Sequence, residues 1–276
     1  MDKLRFGTAG IPLGTQPRNT VAGVRFVRQL GLDAMELEFV QSVHISAVKA
    51  PLVRAAAREA DVLLTCHAPY YINLNARDPA TRQASVDRLV NSARALAACG
   101  GWSACFHAGF YLGMEHALVY QQVKEALQLA LETLRAEGLE IWLRPEIGGK
   151  TTSWGSLEEI LRISQELDGV LPCIDWAHLH ARSLGKHHSY EAFCGTLEAM
   201  EKALGKEALQ NLHCHVEGIE IGPTGERSHK NLADADLHEG ELIRAFRDFG
   251  CRGAIICESP NIEADALHLQ RLYRGA

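Results

Sequence analysis

Six apolar runs end in a side chain that can bind a metal ion or carry a proton. VLLTCHAPY ends in His67, WSACFHAG in His107 and EIWLRPEIG in Glu146. LPCIDWAH carries Asp175 and His178, LQNLHCHVEGI carries His213 and His215, and AIICESP carries Glu258. Carboxylates buried together repel one another and are expensive without compensation. The one cation at these run ends is Arg144, assigned by alternation to the face away from Glu146. Imidazoles mixed with carboxylates form a ligand set for divalent metal. No cysteine framework stands among them, which favours an open, reactive site over a closed structural one. Such a site activates water for hydrolysis or moves protons on a polar substrate. For Asp175 and His178 alone there is a structural alternative, in which Asp175 caps a following helix and His178 is a loop residue.

These residues need a frame that brings six run ends to one level. Strand-like and helix-like segments alternate along the chain. Strands are expected over residues 4–10, 33–39, 62–70, 102–109, 140–148, 171–178, 209–219 and 254–260. Helices are expected over 19–30, 48–60, 79–99, 116–137, 156–167, 189–204, 239–249 and 261–273. The first shows Val21, Val24, Val27 and Leu30 three apart, a helical stripe. The strands are continuous apolar runs, as parallel strands covered on both faces require. Eight such pairs over residues 1–276 predict a single-domain α/β fold, a (β/α)8 TIM barrel with its site at the C-terminal strand ends. An open doubly wound sheet would want a glycine-rich fingerprint after the first strand, and GTAGIPLG is only loosely like one.

Composition narrows the class. The chain is 47% hydrophobic and 22% charged, enough for a large core. No run of about 18 apolar residues suggests a membrane span. MDKLRFGTAGIPLG has no long apolar segment of the signal-peptide kind. The eight cysteines are scattered and read as reduced, so a cytoplasmic protein is expected. Cys66, Cys214 and Cys257 should face the helices, and Cys105 and Cys173 should lie one layer inside the barrel. A net charge of −6 argues mildly against a general nucleic-acid binder, although bound cations can reverse the local field.

Five segments together resemble the endonuclease IV family of zinc-dependent apurinic/apyrimidinic endonucleases. They are HAPYYINL (67–74), FHAG (106–109), PEIGGKTTSWGSLEEI (145–160), CIDWAH (173–178) and ICESP (256–260). The resemblance spans essentially the whole chain. It implies two or three Zn2+ ions. His67 and His107 would hold one, with Glu146 bridging to a second completed by Asp175, the seventh-strand histidine and Glu258. His178 and His229 would hold the third. His215 is preferred on the seventh strand because the polar segment follows it directly, and His213, of the same parity, stays open. Glu146 and Glu258 would carry catalysis, and Tyr70, Tyr71, Asn73 and Arg227 would meet substrate. The implied activity is hydrolysis of the 5′ phosphodiester at abasic sites in DNA, with no membrane partner.

One departure concerns the loop after the seventh strand. Where the family has Gly-x-Arg-x-Asp-x-His, this chain has GERSH, Gly225 to His229. Glu226, Asp234 or Asp236 are the available replacements for the missing aspartate. A rival class is a sugar isomerase or epimerase of the xylose-isomerase-like type, using Glu146, Asp175, His215 and Glu258 around one Mn2+, Mg2+ or Zn2+ ion. His67, His107 and the Tyr-Ile-Asn-Leu segment favour the nuclease. A third possibility is a barrel that binds DNA or a sugar without turnover.

Overall fold

The structure is a computed structural model, and residues 1–275 are described. Strands β1 (Leu4–Ala9), β2 (Ala34–Glu38), β3 (Leu63–His67), β4 (Ser103–Phe106) and β5 (Trp142–Pro145) alternate with helices. These helices are α1 (Thr20–Gln29), α2 (Ala50–Ala60), α3 (Pro79–Ala98) and α4 (His116–Ala136), with α5 (Leu157–Glu166) after β5. Then come β6 (Cys173–Asp175), α6 (Trp176–Arg182), α7 (Tyr190–Leu204), α8 (Lys206–Leu209) and β7 (Leu212–Val216). A hairpin follows, β8 (Gly218–Gly222) and β9 (Gly225–Lys230). After it come α9 (Glu239–Asp248), β10 (Gly253–Cys257) and α10 (Glu263–Arg274).

Eight strands pair in the order β5-β4-β3-β2-β1-β10-β7-β6, and every pair with an assigned register is parallel. Isolated parallel bridges, Leu143 to Val170 and Glu146 to Cys173, join β5 to β6 and complete the circuit. The result is a (β/α)8 barrel, and the open-sheet alternative falls. Helix starts follow local chemistry. Asn19 accepts from the Ala22 N–H, Asp78 accepts from Thr81 ahead of Pro79, and Ser156 with Glu159 forms a reciprocal capping box. Each helix then lays an apolar face on the strands, Val24 and Val27 from α1 and Val86, Leu89 and Leu96 from α3, all buried.

Three local expectations change. The segment after Asp175 is the helix α6. The polar stretch after β7 is the antiparallel β8–β9 hairpin. Arg144 lies on the same face as Glu146, since residues two apart on a strand share a face. It is buried, donates to the carbonyls of Pro172 (2.9 Å) and Asn211 (2.7 Å), and lies 4.8 Å from the Trp102 ring. Three of the cysteines fall as expected. Cys66 reaches toward Ser92 of α3, whereas Cys105 and Cys173 lie inside the barrel beneath the mouth. No helix among the described residues is long and apolar enough to cross a membrane.

Candidate metal centre

Register builds the site. Asp175 pairs with His215 across β6 and β7, and Glu38 pairs with His67 across β2 and β3. Glu146, one residue past β5, is held by its N–H donating to the Phe106 carbonyl. Its carboxylate is fully buried with imidazoles on two sides. Oε2 lies 3.1 Å from His67 Nε2 and 3.3 Å from His107 Nδ1. Oε1 lies 2.8 Å from His215 Nδ1 and 3.6 Å from His178 Nδ1. One oxygen of Glu258 lies 3.5 Å from the same His215 nitrogen. Ligand atoms of Glu146, Asp175, His215 and Glu258 all lie within 4.8 Å of one another.

Asp175 combines both roles that its sequence position suggested. Oδ1 caps α6, accepting from the His178 N–H at 2.6 Å, while Oδ2 is buried without a hydrogen-bond partner. The cap also puts His178 over the mouth. Its Nδ1 faces the Ile147 carbonyl at 3.0 Å, and its Nε2 is buried without a partner. His67 is held alike, with Nδ1 2.8 Å from the Ala68 carbonyl. In both rings a backbone acceptor takes one N–H and leaves the other nitrogen turned inward, the arrangement of a metal-ligating imidazole.

The hairpin answers the question raised by the missing aspartate. Glu226 Oε2 comes 3.5 Å from His178 Nε2, and Oε1 comes 4.0 Å from His229 Nε2. Two glycines allow this. A Cβ on Gly149 would stand 2.6 Å from Glu226 Oε2 and 2.8 Å from His178 Cδ2. A Cβ on Gly225, at φ +110°, would stand 2.2 Å from the Gly149 carbonyl oxygen. The Glu226 N–H donates to that same oxygen at 3.0 Å. Asp236 goes elsewhere, 3.0 Å from His180 Nε2, and Asp234 accepts from Asn231.

Tyr70 and Tyr71 stand on the loop after β3, 59% and 61% exposed. The Asn73 carboxamide oxygen is used inside that loop, accepting from the Asn75 N–H at 3.2 Å. Arg227 is exposed on β9 and paired with Glu220 at 2.9 Å. His213 lies one layer below His215, with Nδ1 2.9 Å from the Ser103 hydroxyl oxygen. Three further carboxylates escaped the sequence reading. Glu36 is buried under His213 and His215. Glu217, two residues beyond His215, is fully buried with neither oxygen hydrogen-bonded. Glu38 carries one unpartnered oxygen. The signal was the period of two in AMELE and HCHVE.

The electrostatics are those of crowded acids and bases. Burial pushes Asp175 up to about 8, helped by the charges of Glu146 and Glu258, despite the opposing pull of His178 and His215. Burial likewise pushes Glu38 up to about 8 and Glu217 well above the carboxylate range. Burial would raise Glu146 too, but His107, His215 and His67 hold it well below its ordinary value. Burial would lower His178, yet Asp175 and Glu146 push it up to about 9, whereas burial takes His107 down to about 4. No lysine or arginine among the described residues forms an ion pair with Glu146, Asp175, Glu217 or Glu258. Unpartnered Asp175 Oδ2, His178 Nε2 and Glu217 beside that donor set fit divalent cations, which would supply the missing positive charge.

The sequence profile of the family described as Xylose isomerase-like TIM barrel matches residues 24–275. "Uncharacterized protein MJ0133" of Methanocaldococcus jannaschii is 39% identical over 270 residues, 98% of this chain and 97% of that one. "Probable endonuclease 4" of Natranaerobius thermophilus is 26% identical over 219 residues, 76% of this chain and 75% of its own length. Among solved structures, endonuclease IV from Thermus thermophilus superposes with TM-score 0.74 at 23% identity, covering 98% of this chain and 100% of that one. The 3-keto-D-glucoside 4-epimerase YcjR from E. coli gives TM-score 0.70 at 15% identity, covering the same shares. At these identities the two structures show the fold alone.

Proposed function

The chain belongs to the xylose isomerase-like TIM barrel family, and from that premise we propose that it is a multinuclear metal-dependent phosphodiesterase acting at abasic sites in DNA. One observation carries the reading. The two oxygens of Glu146 face two separate imidazole groups, His67 and His107 on one side and His215 on the other. A carboxylate so placed suits a bridge between two ions, where a one-metal sugar enzyme would leave His67 and His107 without a role.

His67, His107 and Glu146 would hold one zinc, and Glu146, Asp175, His215 and Glu258 a second. His178, Glu226 and His229, whose ligand atoms lie within 4.8 Å of one another, would hold a third. When bound, such ions supply a nucleophile active near neutral pH and neutralise charge on the phosphoryl group. Glu258, whose side chain is 12% exposed in a quartet otherwise shut from solvent, is placed to orient the attacking water and take its proton. The ring faces of Tyr70 and Tyr71 offer stacking surface where a duplex lacks a base. Glu226 and His229 lie on the hairpin side of the mouth, where they would gather the cation that steadies the departing oxygen.

The central quartet also supports a second reading, a sugar epimerase using one ion, and the structural neighbour YcjR is a sugar epimerase. Zinc-loaded protein incubated with a duplex bearing one abasic site decides between them. The expected result is a single nick on the 5′ side of the lesion, lost with EDTA and restored by zinc. An uncut lesion, with interconversion of a ketose or keto-sugar by protein holding one ion per chain, would move the assignment to the epimerase.

A further inference from the structure

We propose that Glu36 is a positioning residue, which fixes His215 with Nε2 protonated and Nδ1 turned to the metal centre. The inference rests on His215 serving as a ligand, as proposed above. Glu36 lies on β2 and His215 on β7, so the contact crosses the barrel interior beneath the mouth. Its oxygens lie 2.9 Å from His215 Nε2 and 3.0 Å from His213 Nε2, and all three side chains are fully buried. Neither contact has the full geometry of a hydrogen bond, and both Glu36 oxygens are otherwise without a partner. Cys173 Sγ, 3.8 Å from His215 Nε2, is a second and weaker acceptor for the same proton.

The donor count decides the tautomers. A neutral imidazole has one N–H and one lone pair. With protons on both Nε2 atoms, each Glu36 oxygen receives one N–H, and His213 Nδ1 accepts from the Ser103 hydroxyl at 2.9 Å. The remaining lone pair, on His215 Nδ1, then faces Glu146 Oε1 at 2.8 Å. Two acceptors face each other there, and a positive charge between them, a second ring proton in the metal-free protein or a metal ion when one is bound, relieves the repulsion. The opposite tautomer would satisfy Glu146 and turn a ring lone pair onto the buried, charged Glu36 Oε1. His67 and His178 take their fixing acceptor from backbone carbonyls, so His215 alone of these three depends on a replaceable side chain. His213 is the second anchor of Glu36, which explains a histidine one layer below the ligands.

Glu36→Gln separates this role from packing. An amide of the same size accepts from one ring only, and its NH2 confronts the other N–H. Two measurements test it on the full chain. Long-range 1H–15N imidazole spectra of the zinc-loaded wild type should show His215 protonated at Nε2 and metal-shifted at Nδ1. Zinc affinity, read by chelator competition, should fall about 10–100-fold in Glu36→Gln, the usual weight of such a partner. His215 metallated through Nε2, or a folded Glu36→Gln with wild-type zinc affinity, would overturn the proposal alone. If that variant fails to fold, the wild-type spectrum decides. Wild-type protein that takes up no zinc would overturn both this inference and the metal-centre reading.

Discussion

The barrel keeps ionisable groups inside at both its mouth and its floor, and treats them in opposite ways. At the floor, Arg144 donates to two backbone carbonyls and lies beside the Trp102 ring, so protein groups meet most of its guanidinium and leave only Nε without a partner. At the mouth, two residues further along and just past the end of the strand, Glu146 meets only imidazoles, and Asp175 and Glu217 keep oxygens with no partner. Both groups are buried to about the same degree. The difference teaches that burial alone does not mark a functional site. Convergence of ligand atoms on one point does, because each one left unpartnered costs about 1–3 kcal/mol and one bound ion can satisfy several at once.

Substitutions at each end can break or sharpen this contrast. Glu146→Ala should have the largest effect at the mouth. Nicking of an abasic duplex should fall by about 10³-fold or more, the equivalent of several kcal/mol of charge stabilisation. Zinc per chain should drop, while circular dichroism shows the barrel folded. Unchanged zinc content with near-wild-type turnover would remove Glu146 as the bridge. Gly149→Ala comes next. The added methyl meets Glu226 and His178, so zinc content should fall by one ion and activity by about 10–100-fold, the scale of a disturbed ligand shell. A full complement of zinc would show that Glu226 is not the third ion's carboxylate.

Proton linkage gives a graded effect. In chelated protein, Asp175 is raised to about 8 and His178 to about 9. Both folded values exceed the unfolded ones, so the folded state holds more protons through this range. The His178 contribution is fully present below pH 6.5 and is lost as pH rises through about 9. That of Asp175 is lost as pH rises through about 8. Glu146 has the opposite sign, with stability lost as pH falls below the ordinary carboxylate range. The melting temperature of metal-free protein should therefore decline from pH 6.5 to 9, and zinc should flatten the decline by displacing these protons. An equally steep decline with zinc bound would place the titrating groups outside the centre. Arg144→Met should do least at the mouth. Orphaned carbonyls of Pro172 and Asn211 should cost about 1–3 kcal/mol by urea unfolding, with zinc content unchanged.

Much of this was legible in the sequence for a physical reason. Parallel barrel strands are apolar on both faces and announce themselves as runs, while Asn19, Asp78-Pro79 and the Ser156–Glu159 box mark helix starts within a residue or two. What escaped was chemistry that depends on packing. Asp175 reads as a cap or as a ligand, and only the structure shows one oxygen in each role, with α6 beginning behind it. The hairpin strands are short, charged and solvent-facing, so GERSH looked like a loop, and the contact of Glu226 with His178 depends on two glycines distant in sequence. Glu36 and Glu217 sit inside the apolar runs whose character made the strands visible. Arg144 was misassigned by counting, since an interval of two keeps a side chain on its face.

The most direct test of the central claim is an anomalous difference map recorded at the zinc edge from crystals grown with zinc. Peaks on either side of Glu146, one toward His67 and His107 and one toward His215, Asp175 and Glu258, are the predicted result. No peak at Glu146, with its carboxylate still in contact with the imidazoles, would contradict the account.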